Sequence, residues 1–224
     1  MTDFRLDLER AARTGVAEAV FCEGKSAAQI DAIAAALHAE GRRMLFTRLR
    51  QDLFDRLADG SRSLLDYDPL SATGIIGAPD AAAASQEGIG IVAAGTSDLP
   101  VAREAARTLG FHGYAAPLTA DIGVAGLWRL TGQIPALRRH RIVIAIAGME
   151  AALFSVLAGL VEAPVIAVPT SIGYGVAAGG HLALHAALAS CAPGVVAVNI
   201  DNGFGAAAAA IKMLRSIRPP AEAV

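Results

Sequence analysis

The strongest constraint on this chain is a rhythm beyond residue 84. Short apolar runs, GIGIVAA, FHGYAA, RIVIAIA, PVIAVP and VVAVNI, each give way to a glycine, hydroxyl or acidic cluster and then to a helix-like stretch. Runs without polar alternation read as strands covered on both faces, the condition of a parallel sheet lying between two helical layers. The expectation is an α/β fold, a three-layer αβα sandwich. Its helices are predicted to open at Pro100, to lie around Val124 to Leu130, to start again at Ala151, and to run from Gly205 to about Ser216. Ligands of such sheets gather at the carboxyl ends of the strands, so the residues just past each run are the first candidates for a site.

The first third reads differently. An amphipathic opening, the run AVF, a helix from Ser26 to about Glu40 and the run MLFT predict a small N-terminal α/β domain. At APDAAAASQEG the pattern breaks into Ala, Pro, Ser and Gly, which predicts a linker with a boundary near residue 84, giving domains 1–84 and 85–224.

Residues 163–200 contain no Asp, Glu, Lys or Arg, which raises the question of a membrane span. Pro164, Pro169 and four glycines cut the stretch into pieces too short to cross about 30 Å of hydrocarbon, so it reads as buried sheet and packed helix. The N-terminal MTDFRLDLER has no apolar signal core, and the two cysteines, Cys22 and Cys191, have no Cys-x-x-Cys spacing. A reducing cytoplasm is the expected compartment. A net charge of -2 with no basic block disfavours a nucleic-acid partner. Hydrophobic residues at 54% against 18% charged predict more apolar surface than one copy hides, and so a homo-oligomer.

The strand ends carry the chemistry. The first apolar run leads into Gly95, Thr96, Ser97 and Asp98 before Pro100, a glycine turn and helix start that suit a phosphate and equally suit plain helix capping. The third run ends in Gly148, Met149 and Glu150; the glutamate reads as a first-turn acid or as a general base. The fourth ends in Thr170, Ser171, Gly173, Tyr174 and Gly175, which lacks the dinucleotide fingerprint spacing. The fifth ends in Asn199, Asp201 and Asn202, candidate ligand contacts or caps. Cys191 lies between a helix and the fifth run, and a free cysteine there is either a small buried hydrophobe or a reactive thiol. Asp121 and Arg129 are weaker candidates. His181 and His185 stand four apart on a predicted helix without a third ligand, which favours packing or surface roles. All of the polar clusters are expected at one edge of one sheet, and that convergence outweighs any single motif.

The segments GTSDLPVAREAA, DIGVAGLWRL, AGMEAALFSVLAGLVEAPVIAVPTSIGYG and SCAPGVVAVNIDNGFGA closely resemble the LarB proteins, pyridinium-3,5-biscarboxylic acid mononucleotide synthases of nickel-pincer cofactor biosynthesis. RTGVAEAVFCEGKS extends the resemblance over nearly the whole chain, although Cys22 stands where many relatives have glycine. The C-terminal part is similar to the PurE class of aminoimidazole ribonucleotide carboxylases and mutases, which implies a flavodoxin-like sheet. That class has a Ser-Ala-His-Arg signature; this chain reads LTADIGVAG in its place.

The resemblance implies carboxylation of the pyridinium ring of nicotinic acid adenine dinucleotide, with carbon dioxide or bicarbonate as co-substrate. Hydrolysis of the phosphoanhydride then releases AMP. It implies Cys191 as the transient nucleophile and Glu150 as the base. Thr96, Ser97 and Asp98 would lie at the phosphate end, with Asp201 and Asn202 lining the site. Magnesium is expected to assist the hydrolysis through ligands the sequence leaves unassigned; no tightly bound organic cofactor is expected, and the assembly is expected to be an octamer. The alternatives are a PurE-type carboxylase or mutase and a nucleotide-binding module without chemistry.

Overall fold

The computed structural model describes residues 4–77 and 86–216. The boundary expected near residue 84 falls outside those residues.

Residues 4–77 build a four-stranded mixed sheet. Its strands β1 (Ala19–Phe21), β2 (Met44–Thr47), β3 (Leu65–Asp68) and β4 (Thr73–Ile76) stand in the order β1-β2-β4-β3, with β1 parallel to β2 and the β3–β4 pair antiparallel. Short α1 (Arg10–Thr14) precedes it, and α2 (Ala27–Ala39) packs Ile30, Ile33 and Leu37 against Phe46 and Leu49. Ser26 starts α2 with a reciprocal capping box: its hydroxyl accepts from Gln29 N, and the Gln29 side chain accepts from Ser26 N. Helices α3 (Gln51–Phe54) and α4 (Asp59–Leu64) and the whole β3–β4 hairpin were not legible in the sequence. The reason is visible in β3, Leu-Asp-Tyr-Asp, whose acids take their partners from a helix about forty residues later.

Beyond residue 86 the predicted sandwich is present. Strands β5 (Ile89–Ala93), β6 (Leu118–Thr119), β7 (Ile142–Ala147), β8 (Val165–Pro169) and β9 (Val195–Ala197) form one all-parallel sheet in the order β6-β5-β7-β8-β9, the flavodoxin-like arrangement. The pleat splits β7 between two cores. Ile142, Ile144 and Ile146 face α5 (Leu99–Phe111) and α9 (Gly203–Ser216). Val143, Ala145 and Ala147 face α6 (Leu127–Leu137), α7 (Leu153–Ala158) and α8 (His181–Leu188). Because both faces are covered, every residue of β5, β7 and β8 is buried, which is why no polar alternation marks them. Each large side chain so buried contributes about 1.5–3 kcal/mol.

Two predicted elements shift. The run FHGYAA is not a strand: Phe111 ends α5, and Tyr114 N closes back on Leu109 O across Gly113, whose φ of 83° suits only a left-handed turn. The strand itself is the pair Leu118–Thr119, past Pro117. The helix expected at Val124 begins as a 3-10 turn, Val124–Gly126, and continues as α6 with Pro135 inside it. No helix among the described residues is long and apolar enough to cross a membrane.

The N-terminal sheet docks against α5. Arg103 grips Asp68 with two bonds of 3.0 Å, Arg107 reaches Thr73 at 2.7 Å and Asp66 at 3.1 Å, and Arg43 donates to the Phe111 carbonyl. His112 Nε2 accepts from Ala17 N at 3.1 Å, which leaves Nδ1–H to donate to Thr108 O.

Candidate active site

At the carboxyl edge of the parallel sheet, strand order reverses between β5 and β7, since β6 lies on the far side of β5. Chains leaving such a switch point diverge to opposite faces and open a crevice. A cavity of about 380 Å³ occupies it, lined by Gly95, Ser97 and Asp98 after β5, by the Gly123 turn, and by Gly148 to Leu153 after β7.

The loop after β5 is held from within. Asp98 is buried, and its Oδ2 accepts from Gly95 N at 2.9 Å while Oδ1 accepts from the Thr170 hydroxyl at 2.7 Å. Burial pushes this carboxyl above its ordinary value, against the pull of the Thr170, Gly95 and Gly148 hydrogen bonds. Asp98 therefore fastens the loop to the end of β8, and the exposed groups left for a ligand there are Thr96 and Ser97.

The turn after β7 is strained. Met149 and Ala151 hold φ of 55° and 51°, the left-handed region that side chains avoid, with Glu150 between them. Met149 N donates to the Ile172 carbonyl at 2.8 Å, and a Cβ on Gly148 would collide with that same carbonyl and with the Thr170 hydroxyl. The two loops are thus clamped together, and Glu150 is left exposed at the cavity rim.

The last edge segment is also strained. Asp201 has φ of 54°; its Oδ1 accepts from Ser171 N at 2.8 Å, and its carbonyl accepts from Arg48 of the N-terminal sheet, itself at φ of 54°. Asn202 caps α9 through Gly205 N at 2.7 Å, and Asn199 accepts from Ile200 N. Asp121, with φ of 58°, pairs with Arg129 at 2.7 Å. Tyr174 projects into solvent, 77% exposed. Sequence reasoning missed Arg48 and Glu104. The latter is buried beneath the edge, 3.8 Å from Arg48, and accepts from Phe204 N. Burial pushes Glu104 above its ordinary value, while Arg48 and the Phe204 and Gly203 amides pull it down. No local motif marks either residue.

Cys191 breaks the expected convergence. It precedes β9, and the adjoining Gly194 carbonyl accepts from Val165 N at the start of β8, so the thiol lies at the amino edge. Glu150 follows the end of β7. The strand run between those levels, from Val143 to Ala147, spans roughly 13 Å. Within one chain the two are not brought together. Cys191 is exposed, whereas Cys22 is fully buried and its thiol is pushed up to about 12 by desolvation. His181 and His185 lie exposed on α8.

Among the described residues, no group of three or more His, Cys, Asp and Glu side chains is placed to hold a metal ion. At the cavity both carboxylate oxygens of Asp98 are occupied by protein donors, which leaves Glu150 as the one lining carboxylate open to a ligand. That donor set does not fit a resident divalent cation.

Comparison with known proteins matches residues 1–78 to the LarB/PurE-like N-terminal domain and residues 88–222 to AIR carboxylase. An uncharacterized protein of Methanocaldococcus jannaschii is 40% identical over 213 residues, 90% of this chain and 80% of that protein. A crystal structure of Treponema denticola PurE is 20% identical with a TM-score of 0.44, covering 59% of this chain and 83% of that one.

Proposed function

The chain belongs to the LarB family, joining its N-terminal domain to an AIR carboxylase domain, and on that premise we propose that it carboxylates the pyridinium ring of nicotinic acid adenine dinucleotide and then cleaves the dinucleotide. The observation that carries this reading is the cavity at the β5/β7 switch point. It brings a glycine and hydroxyl loop suited to phosphate together with a rim carboxylate and apolar walls suited to a flat ring.

A pyridinium ring is too electron-poor to attack carbon dioxide. The Cys191 thiolate adds to a ring carbon, and the displaced π electrons pass to nitrogen, leaving an enamine. C5 of the enamine then bonds to carbon dioxide. The Glu150 carboxylate takes the C5 proton, the C–H electrons restore the enamine, and expulsion of the thiolate restores the aromatic ring. Water attacks the phosphoanhydride to release AMP. Magnesium brought with the substrate would supply charge neutralisation at the phosphates, and Glu150 is the lining carboxylate open to it.

Since Cys191 and Glu150 stand at opposite edges of one sheet, the reading requires two copies, the thiol of one meeting the glutamate of another. The unpaired side of β9 supports this: Val196, Leu188 and Cys191 are each exposed near that edge strand, and Tyr174 and Val176 protrude at the carboxyl edge. Purine carboxylation is disfavoured: in place of the PurE Ser-Ala-His-Arg signature this chain reads LTADIGVAG, which holds no histidine to carry a proton.

The test is mass spectrometry of the protein incubated with the dinucleotide, bicarbonate and magnesium, beside Cys191→Ala. A product carrying one further carboxylate, formed with AMP and absent from the variant, is expected. Unchanged substrate with folded protein would sink the reaction and leave a nucleotide-binding module.

A further inference from the structure

A cavity of about 890 Å³ lies away from the strand ends, between the N-terminal sheet and α5. Its wall carries three guanidinium groups, Arg43, Arg103 and Arg107, against one carboxylate, Asp66. Including Asp68, which Arg103 binds from outside the cavity, three positive charges meet two negative ones, leaving a surplus of one.

The arginines are fixed but not used up. Arg103 commits Nε and Nη2 to Asp68, and Arg107 commits Nε to Thr73 and Nη2 to Asp66. Arg43 lies over the Phe111 ring, 4.9 Å from its centre, with Nη2 on the Phe111 carbonyl. The Nη1 of each has no partner among the described residues, and Arg43 Nε is buried with none either. The Nη1 groups, without a protein acceptor and not among the buried atoms, can donate to an occupant that brings oxygens. The rest of the wall, Leu64, Ile75, Ala106 and Leu118, is apolar.

We propose that this groove is a second small-molecule site, for a ligand with a phosphate at one end and a flat apolar body at the other, of which a nucleoside monophosphate is representative. Planar guanidinium groups pair with phosphate oxygens in a way a lysine does not, and the volume is that of a ligand pocket rather than a packing defect. The proposal does not rest on the reaction above. No residue lines both the groove and the strand-end cavity, so the two are separate. They share α5, whose first turn follows Thr96–Asp98, and a ligand held by Arg103 and Arg107 acts on the helix that carries that loop.

The experiment is isothermal titration of the full chain with AMP as the probe. Two groove variants accompany it: Arg43→Met, which keeps the stem on Phe111 and removes the charge, and Ala106→Glu, which places a carboxylate among the arginines on a helix that tolerates it. Circular dichroism checks that each is folded. Saturable binding is expected, with one site weakened about tenfold or more in each variant, and retained when Ser97→Glu blocks the strand-end loop. Absence of saturable binding, or an isotherm that neither groove variant changes while Ser97→Glu abolishes it, would overturn the proposal.

Discussion

Asp98 shows how one residue type answers to two readings. Its position before a helix suits a cap or a phosphate contact, and the structure turns its carboxylate inward to collect the Gly95 amide and the Thr170 hydroxyl. Asp98→Asn keeps the shape but sets an amide N–H against one of those donors. A loss of about 1–3 kcal/mol in unfolding free energy is expected, read by urea denaturation; an unchanged midpoint at unchanged slope would remove Asp98 from this role. Met149, Ala151 and Asp201 are a different kind of residue-scale fact. Left-handed backbone at non-glycine positions costs of order 1–3 kcal/mol each and persists where surrounding contacts enforce it, and these three stand at one edge of one sheet.

At the scale of elements, α9 illustrates how a helix start reaches beyond its own segment. Its first amides are met by Asn202 from its own chain segment and by Glu104 from the middle of α5. Glu104 is raised above its ordinary 4.5 by burial, so the folded state holds that proton more tightly than the unfolded chain. Stability from this group is therefore lost as pH rises from 4.5 through the raised value. Glu104→Gln keeps an acceptor for Phe204 N and removes the titration. Measured by calorimetry from pH 4.5 to 8, the melting temperature of the variant should gain on that of the native chain as pH rises, and a gap that moves the other way would count against the assignment.

At the scale of the whole molecule, separation of Cys191 from Glu150 makes the proposed reaction a property of an assembly. Mixing inactive Cys191→Ala with inactive Glu150→Gln should restore activity, since some sites then draw an intact thiol from one copy and an intact carboxylate from another. With free exchange of subunits about a quarter of the sites are complete, and a steady-state assay on the mixture that stays at the level of either variant would exclude a shared site. What the chain's order alone determined is the αβα sandwich and the segments at its strand ends: short uncharged runs such as IVIAIA, repeated in alternation with helix-like stretches, fit a parallel sheet covered on both faces, and the loops that follow are set by glycine, hydroxyl and proline chemistry local to them. The β3–β4 hairpin, the Arg48–Asp201 contact and the inward turn of Asp98 were decided only in three dimensions, because their partners lie 35, 153 and 72 residues away and no local pattern records them. The same holds for Cys191. Its sequence context admits a buried hydrophobe or a reactive thiol, and the direction of a parallel strand puts whatever precedes β9 at the opposite edge from whatever follows β7.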